Sequence, residues 1–221
     1  MKNYIGIGLC VILFSSCAHK ITMGEQYSKL YEEKPTTILV MPPINNTNSV
    51  EAKEYFYSSL AQPLCEKGYY VLSPFLTMEL LKQESAYDSE NFLEGNLEQF
   101  RNVLGADAAL FTIINKWKKN DLTSKITVGI EYKLRSTKTG ETLYDRMGEL
   151  KVDCKNVSNK FGLLAIAINA LSTSLTDKVV AARICNQHVL LDFPAGKYSP
   201  FFGKDMKRKA GKIKFKESAD K

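Results

Sequence analysis

A cysteine near the amino terminus has the residue type and the sequence context for covalent attachment of lipid. Cys17 follows an apolar run at residues 4–14, which is itself preceded by a positive charge at Lys2. Residues 15–16 are serines, which supply the small side chains that signal cleavage requires. The bacterial lipobox has this form, in which the cysteine thiol is linked to diacylglycerol. We therefore predict that residues 1–16 are a lipoprotein signal peptide and that Cys17 is lipidated.

The same segment leaves other interpretations open. Leucine is commoner than phenylalanine where Phe14 stands, so an ordinary signal peptide with an incidental cysteine is one alternative. A retained anchor helix is another, although the apolar run is shorter than the about 20 residues that a spanning helix needs. Cys10 is a weaker lipidation site because cleavage there would leave too short an apolar centre. Ala18 replaces the aspartate that retains enterobacterial lipoproteins in the inner membrane, which predicts an outer-membrane location.

The remaining cysteines allow one disulfide. Of the five cysteines in the sequence, Cys65, Cys154 and Cys185 lie beyond the signal and the lipidation site. An exported protein can hold a disulfide, and Cys154 and Cys185 are a candidate pair because one ends a predicted strand and the other a predicted helix. Isolated buried thiols are the alternative. No spacing resembles a metal site, and we predict neither a metal nor a cofactor.

Residues that commonly carry catalysis are sparse in this sequence. Its two histidines are His19 and His188, and neither has the sequence context of a catalytic group. No Gly-rich phosphate loop follows a strand in the mature chain, and no Gly-x-Ser-x-Gly elbow is present. Acidic pairs that could in principle hydrolyse glycosides have the pattern of solvated faces (Glu51 with Glu54, Asp88 with Glu90). We predict that the chain is not an enzyme and has no catalytic residues.

A loop rich in proline and asparagine is a candidate interaction site. Pro42, Pro43, Asn45 and Asn46 follow a predicted buried strand at residues 36–41. Ligands of open α/β sheets tend to bind at the carboxyl ends of the strands. The alternative is a turn that proline makes rigid and asparagine caps.

The elements that would position these residues follow from the spacing of apolar side chains. Residues 50–67 carry an apolar stripe at helical spacing, whereas residues 125–135 alternate between apolar and polar side chains, as in a strand with one wet face. Further strands are predicted at 69–72, 108–114 and 143–152, and further helices at 75–83, 96–104 and 160–186. Within the last helix, residues 161–171 are apolar nearly all round. They indicate a core helix, with contact to a second copy of the chain as the alternative.

This order of elements predicts an α/β fold. Short buried strands that alternate with helices favour a three-layer α/β/α-like sandwich whose N-terminal strands run parallel. The strands at 125–135 and 143–152 add an antiparallel hairpin, and the long helix follows them. The sheet is therefore expected to be mixed.

The net charge of +6 is concentrated at the carboxyl end. Residues 204–221 hold eight basic and three acidic residues, whereas residues 17–203 are balanced at 21 of each sign. We predict a tether at 17–34, a single α/β domain at 35–203 and a basic, disordered tail at 204–221. Contact of the tail with anionic lipid or polymer is the alternative. No pattern of interleaved aromatic residues suggests nucleic-acid binding.

Several short motifs, in their order along the chain, resemble a family of uncharacterised bacterial outer-membrane lipoproteins. The motifs are residues 38–47 (ILVMPPINNT), 66–72 (EKGYYVL), 104–110 (LGADAAL), 135–143 (RSTKTGETL) and 193–198 (FPAGKY). That family is similar in fold to the N-terminal domain of TolB and to the periplasmic part of the curli-secretion protein CsgG. The resemblance implies a lipid-anchored module that faces the periplasm, with a CsgG-like lipoprotein as one partner. It brings no catalytic residues.

Two functions of different class remain at this point. The first is a protein–protein interaction module in cell-envelope biogenesis or secretion, with a homodimer as one form of contact. The second is a protein that binds peptidoglycan or another cell-wall polymer. An enzyme of unrecognised type is the third and least favoured interpretation.

Overall fold

The structure is a computed structural model, and it describes residues 20–84, 86–120, 122, 125–153 and 174–219. The predicted signal peptide at 1–16, Cys17, Cys154 and the apolar segment at 161–171 lie outside these residues.

Helices and strands alternate along the first half of the chain, and long strands dominate the second. The helices are α1 (Met23–Gln26), α2 (Ser28–Glu33), α3 (Ala52–Glu66), α4 (Pro74–Gln83), α5 (Glu98–Leu104) and α6 (Ser174–Leu190). The strands are β1 (Thr37–Val40), β2 (Ile44–Asn45), β3 (Tyr70–Val71), β4 (Ala108–Asn120), β5 (Lys125–Ser136), β6 (Thr142–Asp153) and β7 (Lys214–Ser218). Short 3-10 turns occupy Ser89–Phe92 and Asp205–Lys207.

Within the described residues, seven strands form one mixed sheet in the order β3-β1-β4-β5-β6-β7, and β2 pairs with β4 beside this path. β1 pairs in parallel with β3 and with β4. β4, β5 and β6 are antiparallel neighbours. β7 then pairs in parallel with β6. The predicted combination of parallel N-terminal strands with an antiparallel hairpin is confirmed.

Two apolar cores lie on the two faces of the sheet. The larger one joins α1, α2, α3 and α6 to the inward residues of the strands, among them Ile38 on β1 and Tyr132 on β5. The smaller one packs α4 and α5 against the other face, where it takes its strand residues from β1 and β4, such as Leu39 and Phe111. Neighbouring residues of a strand point to opposite faces, which is why Ile38 and Leu39 belong to different cores. The predicted three-layer fold class is confirmed.

The predicted tether at 17–34 is wrong for its described part. Residues 20–34 contain α1 and α2, and their apolar side chains are buried in the larger core. The buried residues Met23, Tyr27, Leu30 and Tyr31 recur at the spacing of one helix face, which is the signal that the sequence carried. A capping box between Thr22 and Glu25 begins α1.

The predicted disordered tail at 204–221 is also wrong for its described part. Residues 214–218 form β7, in which Phe215 is buried against the core between the exposed side chains of Lys214 and Lys216. One inward aromatic residue and a row of backbone hydrogen bonds to β6 outweigh the repulsion among the lysines. The prediction of disorder used the net charge of residues 204–221. Net charge carries no information on whether β6 has a free edge, and it is that edge with which β7 pairs.

Two long elements differ from their predicted bounds. β4 runs on to Asn120 rather than ending at residue 114, because it continues to pair with β5 beyond a bulge at Ile114/Lys116. The described part of the last helix begins at Ser174 and reaches Leu190 rather than residue 186. Among the described residues, no helix combines the length and apolar character needed to cross a membrane.

Candidate functional site

A group of charged side chains fastens the C-terminal residues to the body of the fold. We call it the ionic junction, and its members come from β6, from the end of α6, from the two loops that follow and from β7 (Arg146, His188, Asp192, Arg208 and Glu217). Arg146 occupies an inward position of β6 and is only 3% exposed. Sequence analysis missed it, although an arginine in line with the inward residues Tyr144, Leu150 and Val152 signals a buried partner.

Arg146 contacts three separate segments. Its Nη1 donates to the carbonyl oxygen of Val189 at 2.7 Å and lies 3.3 Å from Oδ2 of Asp192. Its Nη2 lies 3.8 Å from Oε1 of Glu217, and the guanidinium stands over the ring of Phe215 at 4.9 Å from the centroid. Because a buried cation is tolerated only when it is paired and hydrogen-bonded, these contacts hold the segments together.

The rest of the junction is satisfied in the same way. Nε2 of His188 lies 2.6 Å from Oε2 of Glu217, and Nη2 of Arg208 lies 3.2 Å from Oδ1 of Asp192. His188, the histidine of the mature body, is therefore part of a structural contact between α6 and β7. Within the described part of the chain, no group of three or more histidine, cysteine or acidic residues could hold a metal ion.

Of the predicted disulfide pair, Cys185 lies within the described residues. Cys185 is a free thiol that is completely buried in the larger core, and its predicted partner Cys154 lies outside the described residues. Burial raises the pKa of the Cys185 thiol well above its usual value, which makes it a poor nucleophile. The neighbouring Asn186 accepts a hydrogen bond from Tyr132 and donates to the carbonyl oxygen of Phe56. The Cys154–Cys185 pairing stays a prediction.

The predicted interaction loop is mostly internal. Pro42 and Pro43 are buried, and the carbonyl oxygen of Pro42 accepts from the hydroxyl of Ser89 at 2.6 Å. The side chain of Asn45 closes the turn that leads to α3, because its Oδ1 accepts from the amide of Thr47 at 3.1 Å. Asn46 is the exposed residue of the four. These contacts are those of a rigid turn, and a role of the loop in interaction stays a prediction.

Basic residues are concentrated at 204–216, which we call the cationic segment. It holds seven lysine and arginine residues and one aspartate. The chain at residues 21–23 pairs with it through an isolated antiparallel bridge between Thr22 and Lys209. The amide of Met23 donates to the carbonyl oxygen of Arg208 at 2.8 Å, and the amide of Ala210 donates to that of Ile21 at 3.0 Å.

A pocket of about 350 Å³ lies between α2 and the start of the cationic segment. Its lining includes Tyr31, Lys34, Phe202 and Met206. The hydroxyl of Tyr31 and Oδ1 of Asp205 are buried without a hydrogen-bond partner among the described residues. Burial and, to a smaller extent, the charge of Asp205 raise the pKa of Tyr31 above its usual range, so this phenol stays neutral.

The outer face of α4 presents apolar side chains to solvent. Phe75 and Leu76 are 75% and 61% exposed, and Leu80 lies one turn after Leu76 on the same face. Exposed apolar residues that are adjacent on one helix face often mark a contact with another protein. The sequence of α4 has apolar residues on two faces, and its pattern alone does not show which of the two faces is buried.

Comparison with known proteins finds relatives that are described as lipoproteins. The profile of a family described as "Putative lipoprotein GNA1162-like" matches residues 25–190. The lipoprotein NMB1124/NMB1162 of Neisseria meningitidis is 27% identical over 183 residues, which cover 80% of this chain and 85% of that protein. The crystal structure of lipoprotein GNA1162 from Neisseria meningitidis matches with a TM-score of 0.50 and 26% identity, over 61% of this chain and 95% of that chain. The family match ends before the cationic segment.

Proposed function

Because this chain belongs to the GNA1162-like family of lipoproteins, we propose that it is acylated at Cys17 and acts as an interaction module in the cell envelope. The family match confirms the resemblance to lipoproteins that the sequence motifs predicted, and it implies a lipid-anchored location. We further propose that the anchor lies in the outer membrane, that the folded body faces the periplasm and that the body serves envelope assembly or secretion. A CsgG-like lipoprotein is the partner class that this proposal names.

The observation that carries the proposal is the lipobox-like sequence at the start of a chain whose relatives are lipoproteins. Cys17 stands a few residues before the matched region, directly after the apolar run and the two serines. One acyl chain gives marginal membrane binding, whereas two or three chains on one cysteine hold a protein stably.

The proposal contains no catalytic step. The polar side chains that the structure brings together at Arg146 and at Asn186 satisfy one another and join elements of the fold. Features of the described residues that are open to contact with other molecules include the apolar face of α4, the pocket beside α2 and the cationic segment. The face of α4 supports a protein partner because it is apolar and exposed.

Acylation is tested by labelling the protein in its host with radioactive palmitate. We expect label in the parent chain and none in Cys17→Ala, and mass spectrometry of the parent should show residues 1–16 removed. Cys10→Ala is the matched control, because it alters a cysteine of the signal and should keep the label. An unlabelled parent chain that retains residues 1–16 would contradict the proposal.

The partner is tested by cross-linking in cells, lysozyme digestion and purification of the tagged chain. We expect a protein partner to remain after digestion, and Leu76→Asp to reduce its recovery on the order of tenfold by placing a charge at the centre of the α4 face. Lys138→Gln in the β5–β6 turn is the control, since it changes the charge by the same amount at an exposed residue outside α4. Co-sedimentation with purified sacculi, without a protein partner, would instead favour binding to cell-wall polymer. Recovery of a second copy alone would favour the homodimer.

A further inference from the structure

The start of the mature chain and the cationic segment lie side by side. Thr22 pairs with Lys209, and two backbone hydrogen bonds flank this bridge. Thr22 lies five residues after Cys17, and an extended chain spans at most about 3.6 Å per residue. Lipid attached at Cys17 would therefore lie within about 18 Å of Thr22.

The cationic segment has the composition of a surface that lies on a membrane. Lys207, Lys209 and Lys212 are exposed, and none of them forms an ion pair with another residue in the described ranges. The apolar side chains of Met206 and Ile213 flank these three lysines in sequence and are 41% and 43% exposed. Lysines with apolar neighbours can place their charges among headgroups while their methylene chains and neighbours contact the acyl boundary.

We propose that residues 204–216 dock on anionic lipid headgroups of the bilayer that holds Cys17. This inference rests on the proposed acylation, which supplies the proximity. Charge complementarity supports it, because the surface charge of anionic lipids attracts lysine and arginine within about one Debye length, about 8 Å at physiological salt. The short connection between Cys17 and Thr22 would also give the cationic segment a high effective concentration at the membrane, so that a modest intrinsic affinity for lipid suffices.

The same geometry favours lipid over cell-wall polymer as the source of negative charge. The pairing of residues 21–23 with 208–210 fixes the segment beside the anchor. The ionic junction at Arg208 and Glu217 then fixes it to the body. The folded body would consequently take a defined orientation, with the cationic segment toward the membrane.

The test uses the mature chain from residue 17 with Cys17→Ser, so that acyl chains do not contribute to binding. Its partition is measured on vesicles of phosphatidylcholine alone and of phosphatidylcholine with phosphatidylglycerol. We expect binding to the anionic vesicles only, and loss of that binding on going from about 0.1 M to about 1 M salt, where the Debye length falls from about 10 Å to about 3 Å. The triple variant with Lys207→Gln, Lys209→Gln and Lys212→Gln should weaken the partition on the order of a hundredfold, because each lysine contributes about fivefold.

A matched triple variant controls for net charge. It carries Lys53→Gln, Lys82→Gln and Lys138→Gln, which remove the same charge from α3, α4 and the β5–β6 turn, and it should bind as the parent does. Equal loss in both triple variants, or equal binding to neutral and anionic vesicles, would overturn the proposal. So would binding to sacculi without binding to anionic vesicles. Failure of palmitate labelling with intact vesicle binding would overturn the proposed acylation and leave the lipid contact standing.

Discussion

Arg146 joins the C-terminal segment to β6 through several contacts of one side chain. It takes an inward position on β6 that its neighbours fill with apolar side chains, and it is paired with acidic residues from two other segments. Removing one partner of a buried ion pair typically costs about 3–5 kcal/mol, because the other charge stays buried. The exposed lysines of the cationic segment contribute little to the fold by comparison.

On the opposite face of β6, two carboxylates respond to pH in opposite ways. Burial raises the pKa of Asp145, against the smaller effects of Lys133 and Lys214. A hydrogen bond from Lys116, whose Nζ lies 2.6 Å from Oε1, lowers the pKa of Glu149. A raised carboxyl pKa means that the folded state binds its proton more tightly, so stability from Asp145 falls as pH rises above 3.8. Stability from Glu149 is present above its ordinary pKa of 4.5 and is lost below it.

The expected result is that Asp145→Asn raises the free energy of unfolding at pH 7 and that Glu149→Gln, its matched control, lowers it. Both differences should shrink as the pH is lowered below the ordinary pKa values of 3.8 and 4.5, and they should vanish once both carboxyl groups are protonated in the folded and unfolded states. Urea denaturation across this range measures them. Changes of the same sign in the two variants at pH 7 would show that burial does not dominate at Asp145.

At the scale of elements, β7 depends on a close approach of its backbone to β6. Gly148 stands opposite Phe215 in the register of the two strands. A Cβ atom at Gly148 would overlap the carbonyl oxygen of Phe215 and lie 2.7 Å from its Cγ. The absence of a side chain at Gly148 therefore leaves room for the aromatic ring of Phe215, over which the guanidinium of Arg146 lies.

Gly148→Ala is expected to displace β7 and to lower the free energy of unfolding by about 1–3 kcal/mol. Amide hydrogen exchange at residues 214–218 should become faster, and trypsin should cleave after Lys212 more readily. Met147→Ala on the same strand adds no atoms and should leave the exchange of β7 close to that of the parent. Unchanged protection of residues 214–218 in Gly148→Ala would contradict this account of β7.

The elements that could be predicted from sequence are those whose own residues show their period. β5 alternates along Ile126, Val128 and Ile130, and α3 carries its stripe, so both were placed within a few residues of their observed bounds. β7 has one apolar residue among lysines, and its strand state depends on the free edge of β6 and on Arg146, which lie far from it in sequence. The ionic junction could not be predicted for the same reason, because its residues are distant in sequence and meet only through tertiary contacts.

At the scale of the whole molecule, the two ends of the described chain meet. The backbone at residues 21–23 and at 208–210 forms one small paired unit, and α1 contacts the turn at Asp205–Lys207. The first described residues, the cationic segment and the ionic junction are thus joined by consecutive contacts, and the anchor proposed at Cys17 would enter the fold at this place. Local sequence patterns could not predict this arrangement, because it depends on the pairing of residues 21–23 with residues 208–210, which are distant in sequence.

The parallel pairing of distant strands also governs how quickly this protein can fold. Contacts between β1 and the start of β4 join residues 70 apart, and those between β6 and β7 join residues 67 apart. Such loops must close before the pairing yields any stabilisation, so the folding rate is expected to be low for a chain of this size. Slow folding leaves the polypeptide without stable tertiary structure for longer after synthesis, and a chain in that state is one that a secretory translocase can thread across a bilayer.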